Sequence, residues 1–161
     1  MGFEALNAVL RAAAEPTRLR ILALLAEAEL TVTDLTEILR QSQPRISRHL
    51  KMLTDAGLVE RYREGSWAFF RLPQGSAGAD LVRDVVARLD AADDVAAKDH
   101  ERLVAVRGSR AAVAQAYFRA HAGEWDTIRK LHAADAAVEA AILDALSERP
   151  IRSLLDLGTG T

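Results

Sequence analysis

Between Arg40 and Lys51 the chain carries four formal positive charges, Arg40, Arg45, Arg48 and Lys51, with His49 among them and no acid. Ser42, Gln43 and Ser47 add neutral hydrogen-bonding groups to the same stretch. Guanidinium and amide groups can pair with base edges, while ammonium and hydroxyl groups reach phosphate oxygens. The chemistry open to these residues is recognition of duplex DNA, and no catalytic residue is expected.

Such groups act together only if one element presents them. Ile46, Leu50 and Leu53 fall at i, i+4 and i+7, so they form one apolar stripe that must face a core. At about 100° per residue the other side of that helix carries Pro44, Arg45, Arg48, Lys51 and Met52. Ser42 is expected to cap the helix, with Pro44 in its first turn. Gly57 is expected to end it. Leu58 to Arg63 then alternates as a strand, Glu64-Gly65-Ser66 makes a tight turn, and a second strand runs to Leu72. Tyr62, Arg63 and Trp67 flank that turn, so a tip formed by Arg63, Gly65 and Ser66 suits a backbone or minor-groove contact. A basic amphipathic helix alone is most often a solvated face. Helix, wing and basic outer face in one run, residues 41–72, are far more specific.

The elements on either side must position this unit. A first helix is expected from about Phe3 to Ala14, with Phe3, Leu6, Leu10 and Ala13 on one side. Glu15-Pro16-Thr17 breaks it and starts a second helix through Leu25. Glu29 to Val32 is extended, and Thr33 is expected to cap a short helix, Asp34 to Arg40. After the loop of residues 73–80, Asp80 is expected to open a long helix to Val106. On it Val82, Val85, Leu89, Ala92 and Ala96 recur at spacings of three and four. That seam can cover its own domain or meet a partner helix. A small winged helix leaves little core to cover, which favours a homodimer through Phe3, Leu6, Leu10, Val82, Val85, Leu89 and Ala92. The fold class expected is mainly α with a small β-wing: a winged helix-turn-helix with long terminal dimerisation helices over residues 1–107, then a second segment over residues 108–161.

Composition narrows the class. The chain has 161 residues, half of them apolar, and no cysteine, so there is no disulfide and no thiolate metal site. Its first residues are charged throughout and no segment is apolar enough to span a membrane, so a cytoplasmic protein is expected. Net charge is −2. Residues 1–74 hold ten Lys/Arg against nine Asp/Glu, and residues 75–161 hold eleven against fourteen. This balance excludes a uniformly basic DNA-coating protein and favours selective binding through a local patch.

The stretches EPTRLRILALL, ELTVTDLTEIL, SQPRISRHLKML and AGLVERYREGSWAFFRL resemble the ArsR/SmtB family of winged-helix repressors, over residues 1 to about 105. The resemblance implies a homodimer through the first and last helices, with two recognition helices in successive major grooves. It implies DNA contacts from Ser42, Gln43, Arg45, Ser47, Arg48 and His49, and wing contacts near Arg63, Gly65 and Ser66. The chain departs from the family at the inducer site. Thiolate sensors carry Glu-Leu-Cys-Val-Cys-Asp-Leu where this chain has Glu29-Leu30-Thr31-Val32-Thr33-Asp34-Leu35, so the soft-metal site is absent. Asp99, His100 and Glu101 are adjacent and point apart on a helix, and read as a solvated polar end. No metal is expected, and the inducer is not identified.

The last third reads differently. Gly108-Ser109 is a plausible link, and Ala112–His121 and Trp125–Leu146 read as helices. An apolar strand then enters Asp156-Leu157-Gly158-Thr159-Gly160, which resembles the first motif of class I S-adenosylmethionine-dependent methyltransferases. AYFRAHAGEWDTIRKLH resembles the helices that precede it in regulators fused to such domains. The expectation is the start of an incomplete α/β methyltransferase domain, with no cofactor and no activity in this chain. In a full-length parent Asp156, Gly158 and Gly160 would approach S-adenosylmethionine. Two functions follow: a dimeric repressor of an imperfect palindrome, or the N-terminal part of a methyltransferase whose winged helix binds substrate or partner.

Overall fold

In the computed structural model, which describes residues 1–90, 92–121 and 135–147, the chain opens with helices α1 (Phe3–Ala13) and α2 (Pro16–Glu27). Glu15 fixes their joint. Its carboxylate accepts from the Arg18 backbone N–H at 2.9 Å, and Pro16 occupies the first helical position, where no N–H is needed. The Arg18 guanidinium donates to the carbonyls of Ala12 and Arg11, which lie at the open end of α1.

Next come β1 (Leu30–Thr31) and α3 (Val32–Leu39). The cap lies two residues before the expected Thr33. Thr31 Oγ1 accepts from the Asp34 N–H at 3.3 Å, and Asp34 Oδ2 accepts from the Thr31 N–H at 2.6 Å. Spacing decides this: a capping box needs its reciprocating side chain three residues on, and Thr31 meets Asp34 whereas Thr33 meets Thr36. Helix α3 ends at Arg40, which is left-handed at φ 52°. That conformation costs a residue with a Cβ about 1–2 kcal/mol. The turn is held by Gln41, whose N–H donates to the Thr36 carbonyl at 3.3 Å and whose side-chain amide donates to Thr17 Oγ1 at 3.2 Å.

Helix α4 (Gln43–Asp55) follows. Gly57, at φ 67°, lets the chain leave it. The Leu58 N–H bonds the Leu53 carbonyl and the Gly57 N–H bonds the Thr54 carbonyl, each at 2.9 Å, with both leucines buried. Strands β2 (Glu60–Glu64) and β3 (Trp67–Arg71) form a hairpin with Glu64 opposite Trp67. Its two-residue loop has positive φ at Gly65 alone, the pattern of a type II′ turn. β1 covers the other edge of β3, with Leu30 opposite Phe70, so the antiparallel sheet runs β1-β3-β2. Leucines and isoleucines of α2, α3 and α4 pack with Phe70 and Leu72 into one core.

Beyond the wing the single helix expected from Asp80 to Val106 is two, α5 (Ala77–Val86) and α6 (Asp94–His121). Two aspartates cause the break. Asp90 Oδ1 accepts from the Ala92 N–H at 2.9 Å, and Asp93 Oδ1 accepts from the Val95 and Ala96 N–H groups at 3.0 Å. Short carboxylates that satisfy nearby backbone donors compete with the helical ladder. Leu89 and Ala92 therefore lie between helices, and Val82 belongs to the protomer's own core. Conversely, α6 passes straight through the expected link at Gly108-Ser109. One glycine in a helix costs about 1 kcal/mol and does not end it.

The chain divides into compact units Met1–Ser109 and Arg110–Thr161. In the second, α7 (Asp135–Ser147) falls where part of the Trp125–Leu146 helix was expected. The rest of that helix, the following strand and Asp156, Gly158 and Gly160 lie outside the described residues. Among the described residues no helix is long and apolar enough to cross a membrane.

Asp99 is not the solvated helix end that its neighbours suggest. It is 4% exposed and binds Arg20 in two places, Nε at 2.6 Å and Nη2 at 2.7 Å. Arg102 donates to the same carboxylate at 3.4 Å and to the Ile38 carbonyl at 3.1 Å. Leu103 and Val106 extend the buried face of α6. Removing one partner of a buried pair leaves a charge without compensation. Asp99→Ala should cost about 2–4 kcal/mol, below the fully buried range because the Arg20 side chain is 26% exposed. In urea unfolding the double replacement Asp99→Leu with Arg20→Met should lose less than Asp99→Ala alone.

Candidate nucleic-acid interface

The stripe of Ile46, Leu50 and Leu53 is at most 1% exposed and seats α4 on the core. That burial leaves Ser42, Gln43, Arg45, Ser47, Arg48 and Lys51 exposed. On the helical wheel Arg48 and Lys51 point away from the stripe, Arg45 lies on one flank and Ser47 on the other. Arg45 and Arg48 form no salt bridge among the described residues, so their donors are uncommitted. Lys51 differs: its ammonium meets Asp55 at 2.6 Å, one turn on. Ser42 stands at the cap position and its carbonyl accepts from the Ile46 N–H at 3.1 Å, but its hydroxyl makes no capping bond. Ser42 therefore leaves the first turn of α4 without a side-chain cap, as an anion at a helix N-terminus requires.

His49 departs from the expected row of contacts. It lies beside the stripe, its side chain is 12% exposed, and its Nδ1 lies 3.7 Å from Glu15 Oε2, too far for a hydrogen bond. Burial pushes its pKa below the usual imidazole value, Glu15 pulls the other way, and Arg18, Arg45 and Arg48 reinforce the downward shift. At neutral pH His49 is an uncharged packing residue between α4 and the start of α2.

On the wing, alternate residues take opposite faces. Tyr62 stacks on Phe69 at 5.7 Å between ring centres, and Arg71 lies 4.8 Å above the Tyr62 ring. The Tyr62 hydroxyl donates to Glu29, and Arg71 pairs with Glu60 and, at 3.4 Å, with Glu29. This face spends its charges internally. Arg61 and Arg63 occupy the opposite face, exposed and outside any salt bridge among the described residues, and Gly65 and Ser66 form the exposed tip. Arg61 is an exposed cation that the expected set lacks; its two-residue spacing from Arg63 is the signal that reveals it. Arg40, exposed in the turn before α4, adds a further cation.

A helix seated by its apolar side after a tight turn, with a charged hairpin beside it, defines a winged helix-turn-helix module. Residues 15–61 match the model of the bacterial regulatory protein, arsR family. The arsenical resistance operon repressor of Escherichia coli is 50% identical over 60 residues, covering 37% of this chain and 51% of that protein. An uncharacterized HTH-type transcriptional regulator of Methanocaldococcus jannaschii is 35% identical over 89 residues, covering 55% of this chain and 94% of that protein. The crystal structure of the transcriptional repressor BigR from Xylella fastidiosa superimposes with a TM-score of 0.51 at 28% identity, over 55% of this chain and 87% of that one. The chain belongs to the arsR family. Its match spans about half, 51%, of the length of the arsenic-resistance regulators of Pseudomonas putida and Escherichia coli.

Arg48→Ala should weaken binding to the DNA upstream of the gene by about 1–3 kcal/mol and relax sequence preference. Fluorescence anisotropy with the cognate and scrambled duplexes reads both effects. Full affinity in a variant of unchanged melting temperature would remove Arg48 from the interface.

Proposed function

We propose that this chain is a transcriptional repressor that binds an imperfect DNA palindrome as a homodimer, with α4 in the major groove and the β2–β3 hairpin on the adjacent backbone. The observation that carries this reading is the outer face of α4, where Arg45 and Arg48 are exposed and uncommitted while the opposite side is wholly buried. Arg40, Arg61 and Arg63 supply phosphate partners around it. Family membership supports the same reading, and the names of the relatives support repression in particular. The dimer rests on apolar side chains left in solvent: Phe3 is 95% exposed, Leu10 48%, Val85 41% and Leu89 47%. Leu6 is half-buried and Ala92 exposed, whereas Val82 is committed to the core. Half-sites one helical turn apart, or a multiple, would match the two-fold axis. At micromolar concentration sedimentation should give a dimer, and a gel shift on the upstream DNA should give one discrete complex. A monomer, or a smear no tighter than on unrelated DNA, would sink the reading.

The second reading rests on the sequence motif Asp156-Leu157-Gly158-Thr159-Gly160, in which glycines would let a backbone approach S-adenosylmethionine within a methyltransferase-like domain. The native reading frame decides it. A helix pattern directly after residue 161, then a second strand ending in an acidic residue, is the expected result; a stop codon there would remove the reading.

A further inference from the structure

A cleft of about 510 Å³ opens between α2, the α5–α6 break and the first turns of α6. Of its lining, Leu89 alone enters the repressor reading, as one of the exposed apolar side chains. Its size falls within the range of small-molecule sites, about 300–1,000 Å³. Leu19, Ala23 and Leu24 form one wall, and Leu89, Val95 and Ala96 face them. The charge around this apolar interior is unbalanced. Arg20 and Asp99 cancel each other through their bidentate pair. Among the described residues no other lysine or arginine lines the cleft, whereas Glu27, Asp90 and Asp93 do. Asp90 and Asp93 each commit Oδ1 to backbone N–H groups. Asp93 already meets the positive end of α6, so the helix dipole is not left to attract an anion. Glu27 shares its charge with one partner, His100 Nδ1, at 2.9 Å.

We propose that this cleft binds a small amphipathic cation, an apolar body carrying a quaternary or ammonium-type charge, and that its occupancy weakens DNA binding. The apolar walls take the body and the three carboxylates take the charge. The link to DNA is structural. The floor of the cleft is the Arg20–Asp99 pair, Asp99 holds Arg102, and Arg102 donates to the Ile38 carbonyl at the end of α3, just before the turn into α4. A ligand that shifts α6 against α2 moves the anchor of the helix-turn-helix. This second step rests on the repressor reading; the binding step does not.

Tetraphenylphosphonium and tetraphenylborate share a shape and differ in sign, which makes them the probes. Calorimetry on the 161-residue chain without DNA should show one tetraphenylphosphonium per chain, at least tenfold tighter than tetraphenylborate. Glu27→Gln should shrink that preference, and Ala97→Trp, at an exposed position on the rim, should abolish binding of both ions. Equal affinity for the two ions, no binding, or binding undisturbed by Ala97→Trp overturns the site. Sedimentation of Ala97→Trp must match the wild type; a change of oligomeric state would make the cleft a subunit contact and overturn the proposal. In the DNA arm, saturating tetraphenylphosphonium should weaken operator binding at least fivefold in the wild type and not in Ala97→Trp. Cation binding with unchanged DNA affinity overturns the coupling, whereas a chain that binds no DNA at all refutes the repressor reading and leaves the calorimetric result standing.

Discussion

Everything at the candidate interface depends on how α4 is seated. Three side chains at i, i+4 and i+7 disappear into the core, and Leu58 locks the exit against Leu53. Each buried aliphatic side chain contributes about 1.5–3 kcal/mol. Rolling the helix by one residue would exchange that gain for the burial of Arg45 or Ser47, and an unpaired guanidinium inside a core is far more costly than an exposed leucine. One rotational setting therefore wins, and it is the setting that leaves two arginines bare. The bare cationic face of α4 is a by-product of where the apolar stripe had to go.

Local signals made the central module readable. The period of the α4 stripe, the glycine after it and the Glu64-Gly65-Ser66 turn each act within a few residues, and each produced the element it implied. Errors arose where a distant or competing partner decided. His49 looks like a groove contact until Glu15, far upstream, is found against it. Asp99, between polar neighbours, looks solvated until Arg20 appears across the core. The α5–α6 break was hidden because apolar spacings of three and four persist across it, while Asp90 and Asp93 override them with bonds to the backbone. Lys51 and Asp55 were legible at four residues apart, a surface pair in which both side chains stay exposed.

The two threonines that stand where thiolate sensors of the family carry cysteine are not equivalent. Thr31 has been drawn into the architecture: its hydroxyl and N–H both bond Asp34, it begins α3, and it sits opposite Phe69 in the sheet. Thr33 is exposed on the helix. A position that could hold a soft metal has become a joint between sheet and helix. Packing between helices can still carry a signal through this half of the molecule. The Arg102 bond to the Ile38 carbonyl is a physical route for that, because it ties α6 to the end of the same helix that Thr31 begins.

The sheet order β1-β3-β2 has a consequence for colloidal behaviour. With β1 on one side of β3, the outer strand β2 offers a free ladder of backbone donors and acceptors to any other chain. Its sequence, Glu60-Arg61-Tyr62-Arg63-Glu64, places four charges in five residues along that open edge. A second strand docking there would have to strip water from those charges, so the edge is guarded against amyloid-like stacking. Arg61 and Arg63, exposed cations of the wing, thus serve as gatekeepers of a β-edge as well. A variant that neutralised both to abolish DNA binding would also unguard the strand, and its loss of solubility could be mistaken for loss of fold.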